Sequence, residues 1–497
     1  MERSNVTSRR GFIRHLTIGV GSVALLAACG PAPAPTAAPA KPTEAPKAAA
    51  PAAAPTTAPA AAAPTSAPAA AKPTEAPKPT EAPKAAPTTA AAPAAGVVTL
   101  RLHARAGVED EAFDKVLPGF EKAQNVKVVQ EVFPGAEYPQ KLQTLAAGGT
   151  IGDVLQAFTN SAMFQQFFVS GILAPIDDYI KRDKIDLSQW YKYSMDACVV
   201  DGKTGGLPFK SHPSRVGLFY NIDVFEKAGL KVPDLEWNYD MLTETAVKIN
   251  KPPDVYAFSH PWHDIAYYPI MSRMYGGDFF TRDGKSTEIE KPESQQGWVW
   301  HYDMKNKHKV TVDPLQTAPT PQDLFVGGKL AMFRANVGTK AAFAKLDKFK
   351  WSMTLAPKGP KGNRGSLAET DVEGTTKASK NPDKAWELLK VLCSKEMGIA
   401  LCQQTGNRSA TPGGRPDVYN SPEHLGLPYP KGVQEVSLKA MNEAEEWRAP
   451  ANFRGLEVQR LADEWSDLLL LDKEKPTAQF FSKLKAEIQT ILDKPRP

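Results

Sequence analysis

The segment 31–95 is built almost entirely from Ala, Pro, Thr, Lys and Glu, and it contains the heptapeptide KPTEAPK at 41–47 and again at 72–78. Such a segment lacks the apolar side chains that a buried core requires, and its dense proline favours extended polyproline II backbone. We therefore expect a disordered spacer here. Residues 96–497 must then carry the fold, and because that length is large for one hydrophobic core, two lobes are expected.

Two signals precede the spacer. Arg9 and Arg10 stand before a weakly apolar run over 16–28, and this arrangement resembles a twin-arginine export signal. The run is too short to span a bilayer and ends in small residues. Its end, Leu-Ala-Ala-Cys-Gly, resembles a bacterial lipobox, which implies that Cys29 becomes the lipid-bearing N-terminus. We predict a signal peptide over 1–28, a tether over 29–95 and an extracytoplasmic lipoprotein anchored to the cell membrane.

The positive net charge of the chain belongs to its N-terminal segment. Residues 1–95 hold nine of the 60 Lys and Arg residues and four of the 55 Asp and Glu residues, which leaves 51 of each sign in the remainder. The folded part is therefore formally neutral, and nothing in its composition favours nucleic-acid binding.

Three cysteines remain after Cys29, namely Cys198, Cys393 and Cys402. An odd set allows at most one internal disulfide, and we expect buried free thiols, with a Cys393–Cys402 bridge left open. The chain has no Cys-x-x-Cys pattern, and the His260-Pro261-Trp262-His263 segment matches no metal-ligand spacing. No cofactor and no metal are expected.

The residues after the tether alternate between strand and helix patterns. Val98, Leu100 and Leu102 alternate with polar residues, apolar residues then recur at helical spacing over 113–120, and a second strand is predicted over 126–132. A helix that stops at Gly148, a strand over 154–157 and a helix ending near Gly171 follow. This βαβαβ order predicts an α/β fold with a parallel sheet, whose ligands bind beyond the carboxyl ends of the strands. Amphipathic helices are predicted near the C-terminus, with Trp386 and Trp465 packed in cores.

Seven stretches carry a resemblance to a known family. They are VLPGFEK at 116–122, YPQKLQTLAAG at 138–148, GILAPIDDYI at 171–180, DGKTGGLPFK at 201–210, LFYNIDVFEKAG at 218–229, FVGGKLAMF at 325–333 and KNPDKAWELL at 380–389. In this order they resemble the family 1 extracellular solute-binding proteins of ABC importers, the family that includes maltose-binding protein. The resemblance implies a periplasmic-binding-protein fold of two α/β lobes joined by hinge crossings near Lys210, Pro357 and Gly406. Lobe 1 would comprise 96–210 and 358–406, and lobe 2 would comprise 211–357 and 407–497.

The resemblance also implies a function. A monomeric, non-enzymatic protein of this family would capture a small polar ligand, a sugar or sugar derivative, in the inter-lobe cleft and deliver it to ABC permease subunits by hinge closure. Carried over position by position, the ligand-binding residues would be His103, Arg105, Thr159, Asn160, Lys210, His212, Arg215, Trp262, His263, Tyr268, Asn336, Glu373, Phe453 and Arg454.

The chain departs from the sugar-binding pattern in ways that bear on ligand charge. Asn336 opens the turn where relatives often carry a stacking tryptophan, and Arg101 and His103 replace an aromatic residue of the first strand. Four cations, Arg105, Lys210, Arg215 and Arg454, are predicted for the cleft, which favours an anionic ligand because arginine binds carboxylate or phosphate bidentately. If these cations pair with acids such as Glu373, a neutral ligand is expected instead.

A tethered extracytoplasmic polysaccharide-degrading enzyme is the alternative function. The sequence contains no Gly-x-Ser-x-Gly elbow and no His-Glu-x-x-His motif. Its many carboxylates nevertheless leave a glycosidase mechanism open at this point.

Overall fold

The structure is a computed structural model that describes residues 96–135, 137–262, 267–313, 318–405 and 410–497. The predicted signal peptide, the predicted tether and Cys29 therefore lie outside the described residues, as do His263 and Gly406. The strands are β1 Val98–Arg105, β2 Val126–Phe133, β3 Val154–Phe158, β4 Val199–Val200, β5 Lys203–Thr204, β6 Leu207–His212, β7 Gly217–Asn221, β8 Tyr256–Ser259, β9 Leu330–Ala335, β10 Trp351–Leu355, β11 Leu367–Thr375 and β12 Glu445–Glu446.

The α-helices are α1 Asp110–Gln124, α2 Tyr138–Ala147, α3 Met163–Val169, α4 Asp177–Asp183, α5 Lys192–Asp196, α6 Ile222–Ala228, α7 Tyr239–Ile249, α8 Tyr267–Arg273, α9 Pro292–Asn306, α10 Pro321–Val326, α11 Pro382–Leu392, α12 Lys395–Cys402, α13 Pro416–Tyr419, α14 Pro422–Leu425, α15 Val433–Asn442, α16 Gly455–Leu470 and α17 Ala478–Leu492. Short 3-10 helices cover Leu187–Gln189 and Val337–Phe343.

The predicted βαβαβ unit is confirmed. Strand β1 pairs in parallel with both β2 and β3, and α1 and α2 connect them. Leu100 and Leu102 are buried at alternate positions of β1, and Phe113, Val116 and Leu117 are buried at helical spacing in α1. The two periodicities, 2 and 3.6, thus turn each apolar stripe toward one shared core.

Lobe 1 is built on the larger sheet, which has the order β12-β11-β3-β1-β2, with β6 paired to β11. Strand β11 runs antiparallel to both β3 and β6, although it lies some 160 residues or more further along the chain. Helices α1, α11 and α12 pack against this sheet, and Trp386 of α11 is fully buried there as predicted.

Lobe 2 is built on the sheet β10-β7-β9-β8. The C-terminal helices α16 and α17 supply Val458, Leu469 and Phe480 to its core, and Trp465 packs beside Phe480, as predicted. The protein thus has the two-lobe α/β fold that the sequence predicts.

The chain passes between the lobes in short connections. The first lies between His212, the last residue of β6, and Gly217, the first residue of β7. The second joins Leu355 of β10 to Leu367 of β11. Since β6 and β11 are hydrogen-bonded neighbours, both connections leave lobe 1 from adjacent strands and open onto the same region.

Cys198, Cys393 and Cys402 are buried free thiols, as the sequence predicts. Burial raises the pKa of all three thiols, to about 11 for Cys402. Within the described ranges, no helix has both the length and the apolar character needed to cross a membrane.

Candidate functional site

A cleft of about 490 Å³ lies where β6 and β11 of lobe 1 face β9 of lobe 2. Its volume is in the usual range for a small-molecule site. It is lined by Arg105, Val108, Phe158, Asn160, Lys210, His212, Arg215, Pro261, Gln322, Phe333, Arg334, Ala335, Asn336, Gly338, Thr339, Ala342, Glu369 and Asp371. Both lobes therefore supply its walls.

The alternation of side chains along β11 directs two carboxylate acceptors into the lobe 1 wall of the cleft. Glu369 and Asp371 are two residues apart and therefore share one face of the strand. In the antiparallel register with β6, Glu369 pairs with His212 and Asp371 with Lys210. Directly opposed residues have neighbouring side chains, so each carboxylate lies beside a basic group.

Two cations and two carboxylates form a buried cluster in this wall. Lys210 donates to Glu109 and lies 3.4 Å from Asp371, while Arg105 lies 2.5 Å from Glu109 and 3.4 Å from Asp371. Burial alone would raise the pKa of Glu109 and Asp371, but the two cations outweigh it and hold both pKa values below their usual range. Both carboxylates are therefore charged at neutral pH, and the hydrogen bonds and ion pairs of the cluster fix its donors and acceptors in place.

A second charged group lies at the first connection between the lobes. Arg215 approaches Glu369 to 3.3 Å, and the amide of Asn160 donates to the other oxygen of Glu369 at 2.8 Å. Burial favours a raised pKa for Glu369, yet the neighbouring guanidinium of Arg215 holds it below its ordinary value. Glu369 is thus a charged acceptor held from both sides.

The lobe 2 wall begins at the end of β9 and continues into the 3-10 helix Val337–Phe343. Asn336 caps that helix by accepting a hydrogen bond from Gly338 N at 2.8 Å. Its amide nitrogen lies 3.0 Å from Nδ1 of His212 in lobe 1. Phe333 and Phe158 add apolar surface from opposite lobes, and the Arg105 guanidinium lies 5.0 Å from the Phe158 ring centre.

Six of the predicted ligand-binding residues line this cleft. Arg105 and Asn160 lie at the carboxyl ends of β1 and β3, where a parallel sheet exposes its loops. The others are Lys210, His212, Arg215 and Asn336. Their role in binding a ligand stays a prediction.

His103 and Thr159 were predicted at the cleft, and their positions correct that expectation. His103 is fully buried inside β1, where its Nε2 accepts from Gly152 N at 2.7 Å, and burial lowers its pKa to about 4. Strand β1 continues to Arg105, so His103 is not at a strand end. The Thr159 hydroxyl donates to the Thr370 carbonyl at 2.9 Å and is taken up by β11.

Two aromatic residues predicted for the cleft, Trp262 and Tyr268, are not among the residues that line it. Tyr268 is fully buried, stacks on Trp298 at 5.3 Å and donates to Asp463. Trp262 is 4% exposed and packs against His260 at 5.1 Å. Tyr268 belongs to the lobe 2 core, and Trp262 packs on His260, so neither ring is presented to the cleft in this structure. His263 lies outside the described residues.

Glu373, Phe453 and Arg454 complete the corrections. Glu373 shares the β11 face of Glu369 and Asp371 but lies deeper and is fully buried, and burial followed by Glu109 raises its pKa well above the usual value. Phe453 packs against the lobe 1 core with the Arg496 guanidinium 4.3 Å from its ring centre. Arg454 pairs with Glu457 at the start of α16 and does not line the cleft.

Sequence reasoning missed Glu369, Asp371 and Arg334. The first two alternate along β11, so a strand pattern with acids on one face was a detectable signal. For Arg334, which follows Phe333 near the end of β9, position in the strand gives no indication of which wall it joins.

Comparisons with known proteins agree with this architecture. The family model described as bacterial extracellular solute-binding protein matches residues 106–399. A protein of Brucella abortus (strain 2308), named only as a binding protein, is 28% identical over 327 residues, which cover 63% of this chain and 75% of the relative.

Solved structures show the same fold. An ABC substrate-binding protein from Listeria monocytogenes, in complex with cycloalternan, matches with a TM-score of 0.71 and 20% identity, covering 80% of this chain and 99% of that one. An ABC transporter solute-binding protein from Thermotoga lettingae TMO, bound with alpha-D-tagatose, gives a TM-score of 0.69 and 20% identity, covering 80% and 100%. Since the family match spans more than half of the chain, this protein belongs to the bacterial extracellular solute-binding protein family.

Proposed function

We propose that this chain is the extracytoplasmic, lipid-anchored binding component of an ABC importer. It would capture a carbohydrate-class ligand between its lobes, close about the hinge and deliver the ligand to membrane permease subunits. The lobes would be those expected from the sequence, 96–210 with 358–406 and 211–357 with 407–497, except that the first boundary moves to the end of β6 at His212. Cys29 would carry the lipid. Closure of two domains around a ligand is a known mode of motion for such proteins.

The observation that carries this proposal is a cleft with polar groups from both lobes at the connection between them. Asn160, Lys210, Glu369 and Asp371 face it from lobe 1, and Asn336 faces it from lobe 2. A ligand that bonds to both sets is bound fully only when the lobes are close together. Ligand binding and closure would therefore be coupled.

The chemistry of the walls suits a polyhydroxylated molecule. A sugar hydroxyl both donates and accepts hydrogen bonds, and the cleft alternates charged acceptors such as Glu369 and Asp371 with amide and ammonium donors. Phe158 and Phe333 offer faces for the apolar C–H side of a ring. The solved relatives bound to cycloalternan and to tagatose support the carbohydrate class for this chain.

The four cations from which the sequence predicted an anionic ligand do not support that prediction. Arg454 lies outside the cleft, and Arg105, Lys210 and Arg215 are each within 3.4 Å of a carboxylate. An internal carboxylate neutralises each of them, so they serve as oriented donors rather than as counter-ions for the ligand. This is the outcome expected for a cleft that accepts hydroxyl groups.

The enzyme alternative is disfavoured by the carboxylates that line the cleft. A glycosidase needs one carboxyl group with a raised pKa to protonate the leaving group. Glu369 and Asp371 both have lowered pKa values, and Glu373, whose pKa is raised, is buried away from the cleft. The described carboxylates thus favour binding over hydrolysis.

A thermal-shift screen of sugars, polyols and sugar acids followed by calorimetry tests the proposal. We expect saturable binding that raises the melting temperature, no product release, and a loss of affinity of about tenfold or more in Asp371→Asn, because a charged acceptor is worth ~1.5–3 kcal/mol. Asp196→Asn, on an exposed helix of lobe 1, is the matched control. Reducing-end release from an oligosaccharide would contradict the binding role.

A further inference from the structure

Arg334 differs from the other cations of the cleft in the groups that surround it. It is 1% exposed and lines the lobe 2 wall. Its Nε donates to the carbonyl of Arg215 at 2.9 Å, its Nη1 donates to the hydroxyl of Tyr239 at 3.3 Å, and the guanidinium lies 5.2 Å from the Tyr267 ring centre. All three groups are neutral.

The described residues supply no counter-charge to Arg334. No described carboxylate lies within ion-pair distance of it, and its Nη2 is buried without a hydrogen-bond acceptor in the described ranges. Besides Tyr239 and Tyr267, the titratable groups that feel the charge of Arg334 are His260 and His301. Burial chiefly lowers the pKa of both, to about 3 for His260, and the positive charge of Arg334 lowers them further. This wall therefore has a positive field.

Among the described residues of the cleft, every charged group except Arg334 has an oppositely charged partner. In the lobe 1 wall two cations meet two carboxylates, and at the connection Arg215 meets Glu369. Each of those groups has its partner. Arginine stays protonated in proteins, and a buried charge without a partner is strongly destabilising, so the uncompensated guanidinium requires a physical reason.

We propose that Arg334 is the anion-recognising residue of the cleft, and that the ligand is a sugar acid or sugar phosphate with one negatively charged group directed to lobe 2. This inference rests on the proposed function, since it assigns the charge of the same carbohydrate-class ligand. Carboxylate and phosphate both present paired oxygens to a guanidinium, which gives strong, oriented hydrogen bonds. The paired groups of lobe 1 would then hold the hydroxyls.

Matched pairs of ligands test the assignment by calorimetry of the full chain. The pairs are galactose with galacturonate, and glucose with glucuronate and glucose 6-phosphate. We expect the acidic member to bind about tenfold or more tightly than the neutral one, equivalent to ~1.4 kcal/mol. Arg334→Gln should abolish that preference while the neutral sugar still binds. Arg182→Gln removes an exposed guanidinium of lobe 1 and should leave the preference unchanged.

The ionic strength dependence of the unmodified protein gives a second measurement that needs no variant at Arg334. Affinity for the acidic member should fall with added salt more steeply than affinity for the neutral member, because only the former forms an ion pair with the protein. Equal affinities within each pair, or a preference that persists in Arg334→Gln, would overturn the role of Arg334 alone. Failure of every sugar and sugar acid to bind would instead overturn the carbohydrate-class proposal itself.

Discussion

Nδ1 of His212 and the side-chain nitrogen of Asn336 lie 3.0 Å apart, and this hydrogen bond joins β6 of lobe 1 to the segment after β9 of lobe 2. The side-chain oxygen of Asn336 accepts from Gly338 N, so its NH₂ group is the one that faces the imidazole. Nδ1 of His212 must therefore accept, which requires a neutral ring. Burial lowers the pKa of His212 and favours that neutral form.

Removing the hydrogen bond between Asn336 and His212 should lower ligand affinity. In Asn336→Ala the loss of one hydrogen bond between the lobes is expected to reduce ligand affinity by about 2- to 15-fold, from ~0.5–1.5 kcal/mol. The melting temperature of the unliganded protein should fall only by the equivalent of the lost cap to Gly338 N, ~1 kcal/mol, since each lobe keeps its own core. Titration calorimetry and thermal denaturation measure the two effects. Asn420→Ala, at the residue that follows α13 and outside the cleft, serves as control, and an equal affinity loss there would contradict the role of Asn336.

The buried histidines predict a loss of stability on acidification. Burial is the main cause that lowers the pKa of His103 and of His424 to about 4, from an ordinary value near 6.5. The folded state thus binds a proton on each histidine less readily than the unfolded state does. The neutral histidines therefore favour folding fully above pH 6.5, and this stability is lost as the pH falls toward 4. Each group should account for about 2 kcal/mol at pH 5 relative to pH 7.5.

Thermal or urea unfolding at pH 7.5 and pH 5 checks this expectation. The variant His424→Gln, which keeps a donor for the Tyr419 carbonyl, should show a smaller drop between the two pH values. An unchanged pH dependence in that variant would contradict the contribution of His424.

The buried cluster of lobe 1 should be sensitive to removal of one charge. Glu109→Gln leaves Lys210 and Arg105 with Asp371 as their remaining nearby carboxylate, and breaking a buried pair typically costs about 3–5 kcal/mol. Urea unfolding at pH 7 measures the change. The exposed pair Lys192–Asp196 provides a comparison, because Asp196→Asn should change the free energy of unfolding by less than about 1 kcal/mol. Similar effects of the two substitutions would count against a buried, coupled cluster.

The proposed anchor gives a prediction that separates location from binding. Cys29→Ser should move the protein from the membrane fraction to the soluble fraction while ligand affinity stays the same, because no acyl chain can be attached. Cys402→Ser removes a buried thiol of α12 instead and should leave the protein on the membrane. Retention of Cys29→Ser on membranes after a salt wash would contradict the lipoprotein assignment.

The sequence by itself determined the secondary structure of the first lobe and the approximate position of the site. Alternation at Leu100 and Leu102 and helical spacing at Phe113 and Val116 depend on local periodicity, which survives in a single sequence. The rule that parallel sheets expose their ligand sites at strand ends led to Arg105 and Asn160, and both line the cleft.

Tertiary structure decided which polar residues reach the cleft and which do not. His103 and Arg105 lie two residues apart on the same face of β1, yet His103 is buried within the strand and only Arg105, at the strand end, lines the cleft. Tyr268 resembles a ligand-stacking residue in sequence, but α8 turns it onto Trp298. Periodicity predicts which face of one strand or helix is apolar. It does not predict which other element packs against that strand or helix.

The charge state of the cleft also required the fold. Arg105, Lys210 and Arg215 read as free cations along the chain, and their partners Glu109, Glu369 and Asp371 become neighbours only when β11 inserts beside β6. No sequence pattern singled out Arg334. Its burial among neutral groups follows from the packing of β9 against the connection that contains Arg215. Electrostatic energy depends on distances between residues far apart in sequence, and those distances are set by tertiary packing.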